Sequence, residues 1–383
     1  MSSNFSIART ARANRASLVK WCCSASFGVV IALIPEWDLT AGAFQQDEDG
    51  TLHIPAISLP ESSFLSEDSR AALRRGRDQY RKEAAGGASC PSIEHAEPSQ
   101  AAAIRRCEAE KFSKSSLYMR LRERYPVVVT PLEIGGIHTE TFVPMEGIAP
   151  KNRRRVLINV HGGGFMDGWR LGSHLESVPI AAIGHIKVIS IDYREAPEYS
   201  FPAASEDVAT VYRELLKTYQ PSSIGIFGCS AGALLTAESV VWIEKEHLPR
   251  PGAVGMLCGG AAYYSEGDTG YIGRTLLGDR VIWGTSKDNP YFKSTSSDDP
   301  LAFPVRSSAF MAKFPPSLLI SGTRDPALSS TVYTHTVLVG QGVETELHVW
   351  EGLGHVFFGD VDLRESRDVY ALVAKFFDVR LGE

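Results

Sequence analysis

Ser230 is the residue whose neighbours most clearly predict chemistry, because it lies at the centre of the run G-C-S-A-G at 228–232. The preceding residues, 223–227, are short, apolar and β-branched in character, which predicts a buried strand. Apolar residues at helical spacing follow from Ala231 to Trp242. Glycines on both sides leave room for a sharp turn that raises the serine hydroxyl above the sheet. The pattern predicts a nucleophilic serine, and an ordinary Gly-Ser turn is the alternative.

A run of glycines follows an earlier predicted strand, 156–160, and begins directly after His161. Glycines leave backbone N–H groups bare and allow close approach to a bound molecule. Together with the N–H of the residue after a nucleophile, such groups can stabilise an oxyanion. We therefore expect an oxyanion hole, in which His161 is a structural member of the loop. Its residues are Gly162, Gly163, Gly164 and Ala231. A flexible turn or a phosphate loop is the alternative, but neither the Gly-Lys-Ser/Thr nor the G-x-G-x-x-G frame is present.

Asp325 and His355 are the candidate partners of the serine. Asp325 follows the predicted strand 317–321, and functional groups collect at the carboxyl ends of strands in a parallel sheet. A turn that Asp325 begins with Pro326 is the alternative. His355 follows the last predicted strand, lies beside glycines and precedes an aromatic pair. These residues, in the order serine, aspartate, histidine, match what an activated serine needs: a base and a group that orients the base.

The chain resembles the hormone-sensitive-lipase-like family of carboxylesterases, which have the α/β-hydrolase fold. The glycine run, the serine turn, the order of the three residues and the segment D-Y-R-E-A-P-E at 192–198 carry this resemblance from about residue 125 to the C-terminus. It implies that Ser230 attacks an ester, that His355 moves the proton and that Asp325 orients His355. It implies neither a metal nor a cofactor, and the chain has no H-E-x-x-H or paired C-x-x-C zinc motif.

Three residues depart from the family pattern. Cys229 stands where the family most often has aspartate or threonine, and we expect its side chain to point away from the active face. Ala327 follows Asp325-Pro326 where the family usually adds a second acidic residue, so Asp325 is the one good candidate for orienting the histidine. Glu195 replaces an apolar residue, and the sequence offers no reason for it.

The fold class is predicted from strands that alternate with amphipathic helices, which indicates a mostly parallel sheet covered by helices on both faces. The predicted strands are 156–160, 187–192, 223–227, 253–258, 317–321 and 345–350. The predicted helices include 69–84 and 99–112 in the N-terminal region, 208–219, and 369–377 near the C-terminus. We expect an α/β-hydrolase core at 126–383, a helical cap at 44–125 that covers the acyl pocket as the resemblance implies, and a second cap segment at about 263–297.

The charge pattern argues against a nucleic-acid surface. The N-terminal helices carry arginines at 74, 75, 77, 105 and 106, but glutamates interleave with them, and the net charge of the chain is -6. This mixture is typical of a solvated helix face. We expect a small-molecule ester as the partner and no nucleic acid, and no pattern predicts an oligomeric state.

The N-terminus resembles a secretory signal peptide. No acidic residue precedes Glu36, basic residues precede the apolar run 21–34, and A-G-A at 41–43 offers a cleavage site. The run is too short to span a bilayer comfortably, so we expect a leader at 1–43, no stable membrane span in the mature protein, and a secreted or periplasmic location. An uncleaved anchor or a cytoplasmic protein with a misplaced start codon are the alternatives.

The cysteines bear on the compartment. Cys229 and Cys258 lie in apolar segments and are expected to be small buried core residues. Cys90 and Cys107 flank one segment of the cap region, and they could pair in an oxidising compartment. We expect that disulfide if the protein is exported.

The residues together predict a serine carboxylesterase that acts on short- to medium-chain acyl esters through an acyl-serine. The same groups could open a lactone, deacetylate a carbohydrate or cleave an amide, because the fold does not determine the leaving group. A non-catalytic ligand receptor of the same fold is a further alternative. Such receptors resemble this family but lack the catalytic histidine, whereas this chain has His355.

Overall fold

The structure is a computed structural model that describes residues 45–53, 58–86, 90–277 and 284–382. The predicted leader, 1–43, lies outside these residues. The chain divides into two units, Met1–Pro60 and Glu61–Glu383. In the first, strands β1 (Gln45–Gln46) and β2 (Leu52–His53) pair antiparallel.

An eight-stranded sheet forms the centre of the second unit, in the order β10-β9-β8-β7-β5-β6-β4-β3. Neighbouring strands are parallel from β10 to β6, whereas β4 pairs antiparallel with both β6 and β3. The strands are β3 (Val127–Ile134), β4 (Ile137–Pro144), β5 (Val156–Asn159), β6 (Lys187–Ile191), β7 (Ile224–Cys229), β8 (Ala253–Leu257), β9 (Ser317–Arg324) and β10 (Thr345–Gly354). The predicted α/β-hydrolase sheet is confirmed, and all six predicted strands are present as β5–β10.

Helices cover both faces of this sheet, because its central strands are apolar on both sides. Helices α5 and α6 pack into one core cluster and helices α4 and α10 into the other. The helices are α1 (Glu67–Gly86), α2 (Pro98–Ser113), α3 (Ser116–Arg124), α4 (Gly172–Gly184), α5 (Ala203–Leu215), α6 (Ala231–Lys245), α7 (Asp268–Leu277), α8 (Ser308–Met311), α9 (Leu328–Gly340) and α10 (Arg364–Arg380). The predicted helices correspond to α1, α2, α5 and α10.

The hairpin of β3 and β4 forms an edge of the sheet that the predicted strands did not include. Its turn consists of Gly135 and Gly136, whose φ values of 61° and 81° lie in the left-handed region. A Gly-Gly pair between two β-branched runs is a recognised hairpin signal, so the sequence did contain the information.

The N-terminal helices α1, α2 and α3 belong to the same unit as the sheet. Cys90 and Cys107 form a disulfide with Cα atoms 5.9 Å apart, which ties the segment before α2 to that helix. The predicted pairing is therefore present. In the described ranges, none of the helices combines the length and the apolar character needed to cross a bilayer.

Arg105 corrects one expectation about these helices. Its side chain is not on a solvated face: it is 18% exposed, and its Nε lies 3.1 Å from Oε2 of the buried Glu195. The guanidinium also donates to both carboxylate oxygens of Glu198, at 2.9 and 2.8 Å, and to the Met166 carbonyl oxygen at 2.7 Å. Glu195, which the sequence could not explain, is thus the core side of an ion pair that holds α2 against the segment after β6.

Replacing Arg105 by methionine should lower the free energy of unfolding by about 3 kcal/mol, because Glu198 loses its cation and the buried Glu195 and the Met166 carbonyl oxygen lose their contacts with the guanidinium. Urea denaturation of wild type and Arg105→Met measures this. The double variant Arg105→Met/Glu195→Gln should recover part of the loss. Arg74→Met, which removes an exposed ion pair of α1, is the control and should lower the free energy of unfolding by less than Arg105→Met does. Equal stability of Arg105→Met and wild type would contradict the structural role.

Candidate active site

The serine turn is built by close contact with strand β5. Ser230 connects β7 to α6 with φ 58° and ψ −118°, a backbone conformation that residues other than glycine rarely adopt. A β-carbon on Gly228 would lie 2.0 Å from the carbonyl oxygen of Val160, and one on Gly232 would lie 1.9 Å from the same atom. Only glycine fits at either position, so the predicted reason for the two glycines holds.

Ser230, Asp325 and His355 converge at the carboxyl ends of β7, β9 and β10. His355 Nε2 lies 2.8 Å from Ser230 Oγ, and His355 Nδ1 lies 2.8 Å from Asp325 Oδ1. This chain of hydrogen bonds has the order that activates a serine: the base contacts the hydroxyl, and the carboxylate contacts the base. The three predicted residues are therefore brought together.

Asp325 is held as the ionised member of this group. It is buried, and its oxygens accept hydrogen bonds from Ser321 Oγ at 2.9 Å and from the Ala327 N–H at 2.8 Å. Burial alone would raise the pKa of Asp325, but the charge and hydrogen bond of His355, together with those two donors, lower it below its ordinary value. Ala327, which replaces the second acidic residue of the family, thus contributes its backbone to orienting Asp325.

The predicted oxyanion glycines line the same cavity as Ser230, and Ala231 follows the serine directly. Gly163 and Gly164 have φ values of 131° and 68°, and Ala231 is the first residue of α6. Among the described residues, no protein acceptor takes the N–H groups of these three. The N-terminus of a helix adds positive potential at the same place. Gly162 differs, because its N–H donates to Glu176 Oε1 at 2.9 Å; its part is to shape the loop.

Glu176 is a residue in contact with the glycine loop that the sequence did not indicate, since a single glutamate inside α4 carries no recognisable signal. It is buried beneath the glycine loop and also accepts a hydrogen bond from Asn159 Nδ2 at 2.7 Å. Burial raises the pKa of Glu176 to about 8, although the hydrogen bonds from Gly162 and Asn159 oppose the shift. At neutral pH the group beneath the glycine loop is therefore uncharged.

His161 is placed as the structural histidine that was expected. Its ring stacks on Tyr193 at 4.4 Å between centroids, and its Nδ1 lies 2.9 Å from the carbonyl oxygen of Gly162. Burial lowers the pKa of His161 to about 4, so the ring stays neutral at physiological pH. The Tyr193 hydroxyl donates to the His161 carbonyl oxygen at 2.7 Å, which fixes the start of the loop.

Cys229 and Cys258 are free and buried, as predicted. Both belong to the core cluster that includes α4 and α10, so Cys229 serves the packing beneath the serine. Within the described residues, one group could supply three metal ligands: the atoms of Cys258, Asp325 and His355 lie within 4.8 Å of one another. Asp325 and His355 already form a hydrogen bond with each other, and His355 also contacts Ser230. This arrangement suits proton transfer.

A cavity of about 450 Å³ opens above Ser230. The N-terminal region contributes Ile93 and Glu94 to its wall, and the segment at 263–297 contributes Tyr263, Tyr264 and Asn289. Asn289 Nδ2 donates to the Gly164 carbonyl oxygen at 3.0 Å and thereby links this segment to the glycine loop. Both segments that were expected to form the cap thus line the space beside the nucleophile.

Comparison with known proteins identifies the fold and the family of the chain. The family described as alpha/beta hydrolase fold matches residues 157–359. An esterase of known crystal structure has 28% sequence identity to this chain and a TM-score of 0.71. The match covers 87% of this chain and 99% of that chain. An esterase from the bacterial hormone-sensitive lipase family is 25% identical, with a TM-score of 0.68, over 82% and 99%. A hormone-sensitive lipase from a metagenome library, 24% identical with a TM-score of 0.62 over 75% and 99%, has the same fold.

The raised pKa of Glu176 makes stability depend on pH. In the unfolded chain Glu176 has its ordinary pKa of 4.5 and ionises above that pH, whereas in the folded protein it keeps its proton up to about pH 8. The contribution of Glu176 to the free energy of unfolding is complete below pH 4.5. It is lost as pH rises towards 8, with a slope of at most about 1.4 kcal/mol per pH unit. Urea denaturation across this range should show wild type losing stability relative to Glu176→Gln.

The control for this measurement is Glu110→Gln, which changes an exposed glutamate of α2. Its stability profile should run parallel to that of wild type. Parallel profiles for wild type and Glu176→Gln would contradict the neutral, buried state of Glu176.

Proposed function

Because the chain belongs to the α/β-hydrolase family, as a hormone-sensitive-lipase-like member, we propose that it is a carboxylesterase cleaving short- to medium-chain acyl esters through an acyl-serine. One observation carries the proposal: Ser230 Oγ, His355 and Asp325 form a continuous hydrogen-bonded chain, with contacts of 2.8 Å at each step. That chain ends beside backbone N–H groups that have no protein acceptor among the described residues.

In the first step, Ser230 Oγ attacks the ester carbonyl carbon, and His355 Nε2 takes the hydroxyl proton. Asp325, held by Ser321 and Ala327, keeps the other ring nitrogen protonated and stabilises the imidazolium that forms. The same imidazolium then donates its proton to the alkoxide as the carbon–oxygen bond breaks. Water attacks the acyl-serine with His355 as base, which releases the acid and restores the serine.

The developing oxyanion is bound by the N–H groups of Gly163, Gly164 and Ala231. Each such donor is worth roughly 3 kcal/mol of transition-state stabilisation in enzymes of this kind. A neutral Glu176 beneath the loop suits this role, since a second negative charge there would oppose the oxyanion.

The cavity supports the substrate class. Its volume of about 450 Å³ is suited to a small ester with a short or medium acyl chain. The contact between His355 and Ser230 argues against the receptor alternative, because a receptor has no need of a base on the hydroxyl.

Hydrolysis of a p-nitrophenyl ester series by wild type and Ser230→Ala tests the proposal. We expect wild type to cleave acetyl to octanoyl esters and the variant to lose roughly 10⁴-fold or more in kcat. Ser308→Ala, an exposed serine outside the cavity, is the matched control and should retain full activity. A fluorophosphonate should label the Ser230 peptide in wild type. Activity on no ester, or activity that survives Ser230→Ala, would overturn the esterase proposal.

We also propose that the protein is exported and that its leader is removed before Phe44. The Cys90–Cys107 disulfide supports this, because such bonds persist in oxidising compartments. Expression of the full chain in a bacterium, followed by fractionation and mass spectrometry, tests it. We expect a periplasmic or secreted protein that begins at Phe44 and carries the linked cysteine pair. A cytoplasmic protein with two free thiols would contradict export.

A further inference from the structure

Asp167 is an acidic residue in the cavity that the esterase mechanism does not use. It lies in the loop between β5 and α4, and its N–H donates to the Gly163 carbonyl oxygen at 3.1 Å. A β-carbon on Gly163 would come within 2.7 Å of Asp167 Oδ1, so the carboxylate lies directly against the oxyanion loop. A group bound to Asp167 would therefore lie close to the ester being cleaved.

The carboxylate of Asp167 is partly buried, and among the described residues it has no hydrogen-bond or ion-pair partner. Arg105, a cation whose charge acts on Asp167, is already in contact with Glu195 and Glu198. Burial raises the pKa of Asp167 to about 6, and the nearby Glu108 and Glu94 add to the shift, while Arg105 opposes it. At neutral pH, Asp167 is thus mostly ionised, and among the described residues no cation lies within ion-pair distance of its carboxylate.

The cavity wall carries further acidic residues, two of them at exposed positions. Glu94 and Asp288 contribute two further carboxylates, and no lysine or arginine lines the cavity within the ranges that the structure describes. The Asp288 carboxylate accepts hydrogen bonds from the Thr285 N–H and hydroxyl, so it is held in place. Tyr263 and Tyr264 add aromatic rings, whose faces attract cations.

We propose that Asp167 determines substrate specificity by pairing with a cationic group, so that the preferred substrates are esters carrying an ammonium group near the scissile bond. This inference rests on the proposed esterase function and specifies its substrate class. An ammonium group supplies the missing counter-charge, and the uncharged remainder of the ester fills the apolar part of the cavity. A carboxylate or phosphate group on the substrate would instead be repelled by Asp167, Glu94 and Asp288.

Two matched pairs of esters test the inference. The first pair is butyrylcholine and its uncharged analogue, in which carbon replaces the quaternary nitrogen of the alcohol. The second pair makes the same replacement in the acyl part of a p-nitrophenyl ester of trimethylammonio-butyrate. We expect kcat/KM to favour the cation by about tenfold in at least one pair, as is usual for a partly desolvated charge contact. Active-site titration with a fluorophosphonate normalises every rate to correctly folded enzyme.

Variants of Asp167 identify the source of the preference. Asp167→Asn removes the charge with little change in shape, and the preference for the cation should fall about tenfold. Asp167→Glu keeps the charge and should retain the preference. Asp298→Asn makes the same charge change at an exposed position outside the cavity, and its preference should match wild type. A preference that survives Asp167→Asn would overturn the assignment.

The pH dependence of the ratio provides a second readout. Because both esters of a pair need the same state of His355, the ratio of their kcat/KM values cancels the protonation of the base. The ratio should decline as pH falls through about 6, where Asp167 gains a proton, and Asp167→Asn should show no such decline. Glu94, Glu108 and Arg105 are the other charged groups that face Asp167, and Glu94→Gln should leave the decline in place.

The outcomes separate the two proposals. If the uncharged esters are cleaved in a manner that depends on Ser230 while neither pair favours the cation, the specificity inference is wrong and the esterase proposal stands. If no ester of either pair is cleaved in a manner that depends on Ser230, both are wrong.

Discussion

The site depends on one steric constraint, the contact of the serine turn with the carbonyl oxygen of Val160. Gly228 and Gly232 both pack against that single atom, at distances that exclude any side chain. The contact joins β7 and α6 to the end of β5, where the glycine loop begins. The strained φ of Ser230 is held by this packing, so nucleophile and oxyanion loop are positioned by the same interaction. A change that relaxed the turn would displace both together.

The parallel sheet then supplies the remaining groups. Ser230 and His355 are 125 residues apart in sequence, and His355 and Asp325 are 30 apart, yet all three follow strands that end at the same edge. Each of the three residues directly follows the last residue of its strand, so the sheet brings the three side chains to one edge. This is the general reason that functional groups gather at the carboxyl ends of parallel strands.

How much of this could be predicted from the sequence depended on whether each feature is local. The serine turn, the glycine run and the order of Ser230, Asp325 and His355 are short patterns, and the structure brings those residues together. Glu176 and Arg105 escaped prediction because their roles come from contacts between distant segments: Glu176 on α4 reaches the glycine loop, and Arg105 on α2 reaches Glu195. A lone charged residue in a helix gives no sign of which segment it will contact.

Three carboxyl groups around the serine differ in charge because their partners differ. Asp325 is ionised, since His355 and two hydrogen-bond donors offset its burial. Glu176 is also buried but accepts hydrogen bonds only from neutral donors, so it keeps its proton. It therefore places no negative charge beside the oxyanion. Asp167 lies between these cases, partly buried and without a partner of its own. The first two charge states are determined by the protein itself. For Asp167, the pairing cation comes from the bound molecule, which is why Asp167 is the carboxylate that can distinguish one ester from another.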